Sequence, residues 1–261
     1  MSAAIPHDQP VDTRSEDHRM SSERAPFAAL DDSLSQTQHL LISFDGPVCS
    51  LFAGIAVAGI ADSLREVFAQ EGVRVPETIE HTGNWLEIFS YAASVSPDLA
   101  VRVESELTAL EFATVTTAAL TPYVHEVLTA CRDSARPIAI ISNHSAAAVR
   151  AYLVLHDLYG QIRFMAARTC SDPAVLMPRP DLIELAVTGL GAQSSACALV
   201  GGSPTDIQAA HAAGVNSIGY AKTSHDVDHL VDARAGAIIV SMADLALRLR
   251  ARPSSPSSSE L

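Results

Sequence analysis

The chain has 261 residues, 48% of them hydrophobic, enough for one large domain or for a core domain with a smaller companion. A formal charge of −13 argues against nucleic-acid and anionic-membrane partners, which demand a cationic face, and no run reaches the roughly 18 apolar residues of a membrane span. Cys49, Cys131, Cys170 and Cys197 are too scattered for a CxxC zinc site or a disulfide scaffold, so a reduced, cytoplasmic setting is expected.

Residues 1–36 are polar and charged without apolar period, and are expected to form a disordered leader. Short apolar runs follow that read as strands: Leu40 to Phe44, Ile138 to Ile141, Arg163 to Ala166, Cys197 to Val200, Val215 to Gly219 and Ala237 to Val240. Between the later runs the spacing turns helical, as in Val149, Tyr152 and Leu153, or Leu182, Leu185 and Ala186. Strand and helix in alternation predict an α/β fold with a doubly wound parallel sheet, formed by residues 37–54 and 121–251. Residues 55–120 break the alternation with helical stripes only (Leu64, Val67, Phe68; Trp85, Ile88, Phe89; Val103, Leu107, Leu110), which predicts a helical cap inserted after the first strand. The Pro/Ser-rich stretch 252–261 reads as a disordered tail.

In such sheets the functional crevice lies beyond the carboxyl ends of the strands. The turns there are Ser43-Phe44-Asp45-Gly46, Ser142-Asn143-His144, Met177-Pro178-Arg179-Pro180-Asp181 and Gly201-Gly202-Ser203-Pro204-Thr205-Asp206. A dinucleotide-binding reading of VGGSPTD is disfavoured by the lack of GxGxxG and of an acidic residue about 20 positions on.

The order and spacing of these turns, and the segments FDGPVCSLFAG, IAIISNHSAAAVRAYL and LVGGSPTDIQAAHAAGVNSIGYA, resemble the haloacid dehalogenase-like hydrolase superfamily, over about residues 38 to 250. The resemblance implies a phosphatase-type site. Its first loop is DxDG, whose first aspartate forms an aspartyl-phosphate while the second serves as general acid and base. Here those positions are Ser43 and Asp45, so the acid/base is kept and the nucleophile is replaced. Ser142 matches the family's phosphate-binding hydroxyl and Asn143 its neighbour, with free NH groups expected at the following helix start. Met177 stands where the family has a phosphate-neutralising lysine, and Arg179 is the candidate substitute cation.

The family's GDxxxD loop, which holds Mg²⁺, appears here with Gly202 and Asp206. With both direct carboxylates gone, what remains for a metal is the backbone carbonyl of Asp45, a hydroxyl and Asp206, so binding of Mg²⁺ is expected to be weak or absent. Asp206 has an equal alternative role as the third helical residue of a capping box begun by Ser203. Ser43 lacks the GxSxG elbow of a serine nucleophile and reads as a small polar filler. His144 and His211 read as core or surface histidines, and Cys49 as a packed thiol. The expectation is an impaired phosphatase relative that keeps a crevice for a small phosphorylated metabolite or a protein partner. The rival is an active phosphomonoester hydrolase working through Asp45 or a rearranged site.

Overall fold

The computed structural model describes residues 27–53 and 57–251. Six strands, β1 (His39–Ser43), β2 (Ile138–Ser145), β3 (Phe164–Arg168), β4 (Cys197–Gly201), β5 (Asn216–Tyr220) and β6 (Ala237–Ile239), form one parallel sheet in the order β3-β2-β1-β4-β5-β6. The expected α/β architecture is therefore present. The strands are near-continuous apolar runs because both faces of the sheet are covered, so every second residue serves a different core. Leu40 and Ile42 of β1 belong to one apolar cluster and Leu41 to the other.

The first cluster is closed by α1 (Ala28–Ser35), α6 (Val124–Asp133), α7 (Ala146–Leu155) and α11 (Met242–Ala251). The second is closed by α8 (Asp181–Gly189) and α9 (Pro204–Ala212), and runs on without a break into four helices placed between β1 and β2. These are α2 (Val57–Gln70), α3 (Glu77–His81), α4 (Trp85–Val95) and α5 (Pro97–Thr114). A last helix, α10 (Ser224–Asp232), buries Leu230 against Gly219 of β5. No described helix is long and apolar enough to cross a membrane.

One expected boundary is corrected. Residues 28–35 are not part of a disordered leader: they form α1, with Leu30 and Leu34 buried. Arg248 on α11 donates through Nε to Asp31 Oδ1 at 2.7 Å and through Nη2 to Oδ2, while Arg136 donates to the carbonyls of Leu34, at 2.9 Å, and Thr37 at the helix end. Those partners are far away in the chain, so local composition carried no sign of them. The rest of the expected leader and the expected tail lie outside the described residues.

The sheet order reverses at β1 and β4, the two central strands. A crevice opens at such a switch point, beyond the carboxyl ends of the pair. The β1 and β4 turns meet there, and α4 of the helical insertion reaches over them.

Candidate functional site

The turn after β1 is built around Gly46, whose φ of 97° suits glycine and strains any other residue. Its carbonyl accepts the Thr121 hydroxyl at 2.7 Å, and its NH donates to the Cys49 carbonyl at 2.6 Å. Cys49 itself is buried, which pushes its thiol pKa far up and leaves it an inert packing group. Ser43 and Asp45 both line the crevice but differ in setting: Ser43 is 3% exposed, whereas the Asp45 side chain is 60% exposed.

Across the switch point, Ser43 Oγ donates to Asp206 Oδ1 at 3.0 Å. Asp206 Oδ2 accepts from the NH groups of Gly202, at 2.9 Å, and Ser203, at 3.0 Å, and from the Ser203 hydroxyl at 2.9 Å. The reciprocal bond from Asp206 N to Ser203 Oγ completes the capping box of α9. Both carboxylate oxygens are thus engaged by donors inside the protein. Complete burial pushes the Asp206 pKa up to about 6, against the downward pull of these bonds.

Gly202 has no side chain, and a Cβ built there would lie 3.2 Å from the Asp45 carbonyl oxygen, from Gly46 Cα and from Pro47 Cδ. The first and fourth loops are therefore closed together where a second carboxylate would need to stand. Magnesium demands near-octahedral oxygen ligation with a carboxylate or two at about 2.1 Å. A hydroxyl already spent on Asp206, an Asp206 already saturated and a bare glycine do not fit that ion.

The second loop departs from expectation in two respects. The Asn143 side-chain amide is spent on Met177, donating to its carbonyl and accepting from its NH, each at 2.9 Å; it ties the second loop to the third instead of facing an anion. At the start of α7 one backbone donor is already taken, because Ser145 N donates to Glu111 Oε2 at 2.9 Å. Ser142 stays in the crevice, and its Oγ accepts from His144 N at 3.0 Å. Arg179, the expected substitute cation, does not line the crevice. Its exposed guanidinium is turned to Asp181, 3.4 Å away, a neighbour in the same turn.

The crevice encloses about 390 Å³, within the range of small-molecule sites. Trp85 from α4 roofs it, Tyr220 and Lys222 form its far wall, and His144 lies under Trp85 with ring centroids 6.0 Å apart. His144 is wedged edge-on against Phe52 and Phe44 as well. Its Nδ1 pairs with Glu111 Oε1 at 3.0 Å, and its Nε2 lies 4.0 Å from Asp45 Oδ2. Glu111, fully buried on α5, also accepts from Arg168 Nη2 at 2.7 Å. Burial pushes the Glu111 pKa up, and the contacts with His144, Arg168 and Ser145 outweigh it, so the net shift is downward and the group stays ionised.

Four residues of this assembly escaped the sequence reading: His144 as a crevice residue, Glu111, Lys222 and Trp85. Glu111 left a trace, because it follows Leu107 by four places and so stands on the apolar face of α5. Lys222 left another as the chain's single lysine.

A sequence model of the family described as haloacid dehalogenase-like hydrolase matches residues 59–220. The match takes in the inserted helices and β2 to β5, and begins beyond the Ser43–Asp45 turn. No curated protein matches the chain. Among solved structures, a predicted phosphatase from Clostridium acetobutylicum is similar with a TM-score of 0.64 at 14% identity, over 84% of this chain and 100% of its own. A HAD hydrolase of family IA, variant 3, from Entamoeba histolytica gives 0.62 at 14% identity, over 82% and 100%. A HAD family hydrolase from Deinococcus radiodurans, solved with bound phosphate and sodium, gives 0.52 at 21% identity, over 81% and 94%. At these identities the likeness is one of fold.

Proposed function

Because the chain belongs to the haloacid dehalogenase-like hydrolases, we propose that it is a member whose aspartyl-phosphate chemistry is impaired. In this reading the inserted helices act as the cap of a crevice that binds a small phosphorylated metabolite, or serves a regulatory protein partner, without phosphoryl transfer. The observation that carries it is the 3.0 Å bond from Ser43 to Asp206. At the position of the family's nucleophile stands a hydroxyl, held by a carboxylate that also accepts from Gly202 and Ser203. Aspartyl-ester formation needs a carboxylate in that place. A cytoplasmic setting accords with the four cysteines, all of them free thiols.

The test uses an activated aryl phosphate with Mg²⁺, on the unaltered protein and on a triple variant carrying Ser43→Asp, Met177→Lys and Gly202→Asp. The reading expects turnover in the triple variant alone. Metal-dependent turnover by the unaltered protein that vanishes in Asp45→Asn sinks it.

One observation favours the rival, an active phosphomonoester hydrolase with a rearranged site. His144, held by Glu111 at Nδ1, turns Nε2 toward Asp45 in the manner of an oriented base. That reading expects turnover that survives a chelator and is lost in both His144→Gln and Asp45→Asn.

A further inference from the structure

Three helices begin at the crevice, and each start is filled by one of the protein's own carboxylates. Glu111 takes Ser145 N ahead of α7, and Asp206 takes the NH groups of Gly202 and Ser203 ahead of α9. Asp226 takes those of Lys222 and Thr223, at 3.0 and 2.8 Å, ahead of α10. At each of these starts one or two of the backbone donors that could receive an anion are therefore already taken by the protein itself. An anion entering this crevice also meets Asp45, a carboxylate with most of its surface open to the same space.

Among the side chains that line the crevice, only Lys222 belongs to a lysine or arginine. It is also the only lysine of the chain. Its backbone NH is pinned by Asp226, and its Nζ donates to the hydroxyl of Ser50, so the ammonium group bridges from the β5–α10 turn to the segment after β1. The side chain is exposed, so the ammonium keeps two protons for a ligand and needs no buried partner.

We propose that Lys222 and Ser50 form the anion-binding subsite of this protein, at the rim of the crevice and not on its strand-end floor. The subsite takes the anionic oxygens of a small metabolite, phosphoryl or carboxylate. The remainder of the ligand extends beneath Trp85. This deepens the reading of the crevice as a ligand site and rests on it. It also adds a reason for lack of turnover, since a phosphoryl group anchored at the rim is not presented to the Ser43 position.

The test is calorimetric titration with inorganic phosphate and, separately, with acetate, in the presence of a chelator. It is run on the unaltered full chain and on Lys222→Met, Lys222→Arg and Ser142→Ala. Reductive ¹³C-methylation provides a second readout, because the chain offers a single lysine resonance. The proposal expects that resonance to shift on saturation, Lys222→Met to weaken binding by about tenfold or more, and Lys222→Arg to retain most of the affinity. The stronger of the two anions identifies the chemistry of the head group. A lysine resonance that stays still while an anion binds overturns the rim subsite. So does an affinity that survives Lys222→Met but collapses in Ser142→Ala, and in both cases the crevice reading stands. Failure of the unaltered protein to bind either anion sinks the crevice reading and the subsite together.

Discussion

Ser43 Oγ donates a hydrogen bond to Asp206 Oδ1 across 3.0 Å, joining the ends of β1 and β4 through two side chains 163 residues apart in sequence. The same carboxyl caps α9, and burial pushes its pKa up to about 6 from an ordinary 3.8. Between those two values the folded chain holds a proton that the unfolded chain has released. Stability therefore falls as pH rises from about 4 to about 6 and levels off above, by an amount on the order of 3 kcal/mol for this group. Asp206→Asn keeps a side chain of the same shape without the titration. Urea unfolding at intervals from pH 4 to pH 7 should show the unaltered protein losing stability relative to Asp206→Asn across that window. Parallel curves would mean that this carboxyl is ionised in the fold throughout.

Gly202 and Gly46 decide whether the site can be reverted. Their backbones approach so closely that a methyl group at 202 would sit 3.2 Å from the Asp45 carbonyl oxygen and Gly46 Cα, tighter than ordinary contact and against backbone, which yields less readily than a side chain. Gly202→Ala is expected to lower stability by about 1–3 kcal/mol, the range found for overpacked sites. Gly202→Asp should cost at least as much, because its carboxylate enters beside Asp45 and the buried Asp206. Addition of Mg²⁺ should recover stability only when Ser43→Asp is also present, since one carboxylate and a carbonyl do not complete a hard-cation site. Thermal unfolding of the single and double variants with and without the ion reads this directly.

Glu111 is the keystone of a buried charge cluster. Its carboxylate meets His144 Nδ1, Ser145 N and Arg168 Nη2, while Arg168 also donates to Glu104 and, through Nε, to the Asn143 carbonyl at 3.1 Å. The Arg168 side chain is fully buried. Glu111→Gln removes the charge but not the volume, leaving the guanidinium partly uncompensated. A loss of about 3–5 kcal/mol is expected, the range for breaking one side of a buried pair. Because the Glu111 pKa is depressed, its contribution is present above the unfolded value near 4.5 and disappears as pH falls through the lower folded value. Acid unfolding of Glu111→Gln should therefore begin at higher pH and rise less steeply than that of the unaltered protein.

What could be read from sequence follows from how local each feature is. The six strands were legible because two covered faces turn each one into an unbroken apolar run, and four of the strand-end turns that line the crevice were legible because each one's residues are adjacent in the chain, whereas the turn that carries Lys222 and Asp226 was missed. Strand ends were less so: β2 continues through a register shift between Ser142 and Ser145, past the last apolar residue. Arg179 illustrates the opposite failure. Nearness in sequence to the third loop suggested a crevice cation, but its side chain turns outward to Asp181, and the cation in the crevice comes from a different loop, at Lys222. Glu111 and His144 meet across 33 positions, with one on an inserted helix and the other at the end of β2, a pairing that periodicity alone does not reveal.

The helix α1 supplies the last test, because the composition before β1 pointed to an unpacked leader. Leu34 is 0% exposed and Leu30 only 2%, and both join the cluster that also contains Leu40, Ile42 and Leu249. If α1 were a loosely attached arm, trimming Leu34 would be nearly neutral, as for exposed positions in general. As a member of the core it should behave like other buried leucines, for which truncation to alanine costs about 2–5 kcal/mol depending on how far the surroundings collapse. Arg248→Ala should add a smaller loss by removing its two bonds to Asp31. The two effects should fall short of additive, because both act through the seating of one short helix. Chemical unfolding of the two single variants and the double variant measures that coupling, and a Leu34→Ala loss below about 0.5 kcal/mol would restore the leader reading for residues 28–35.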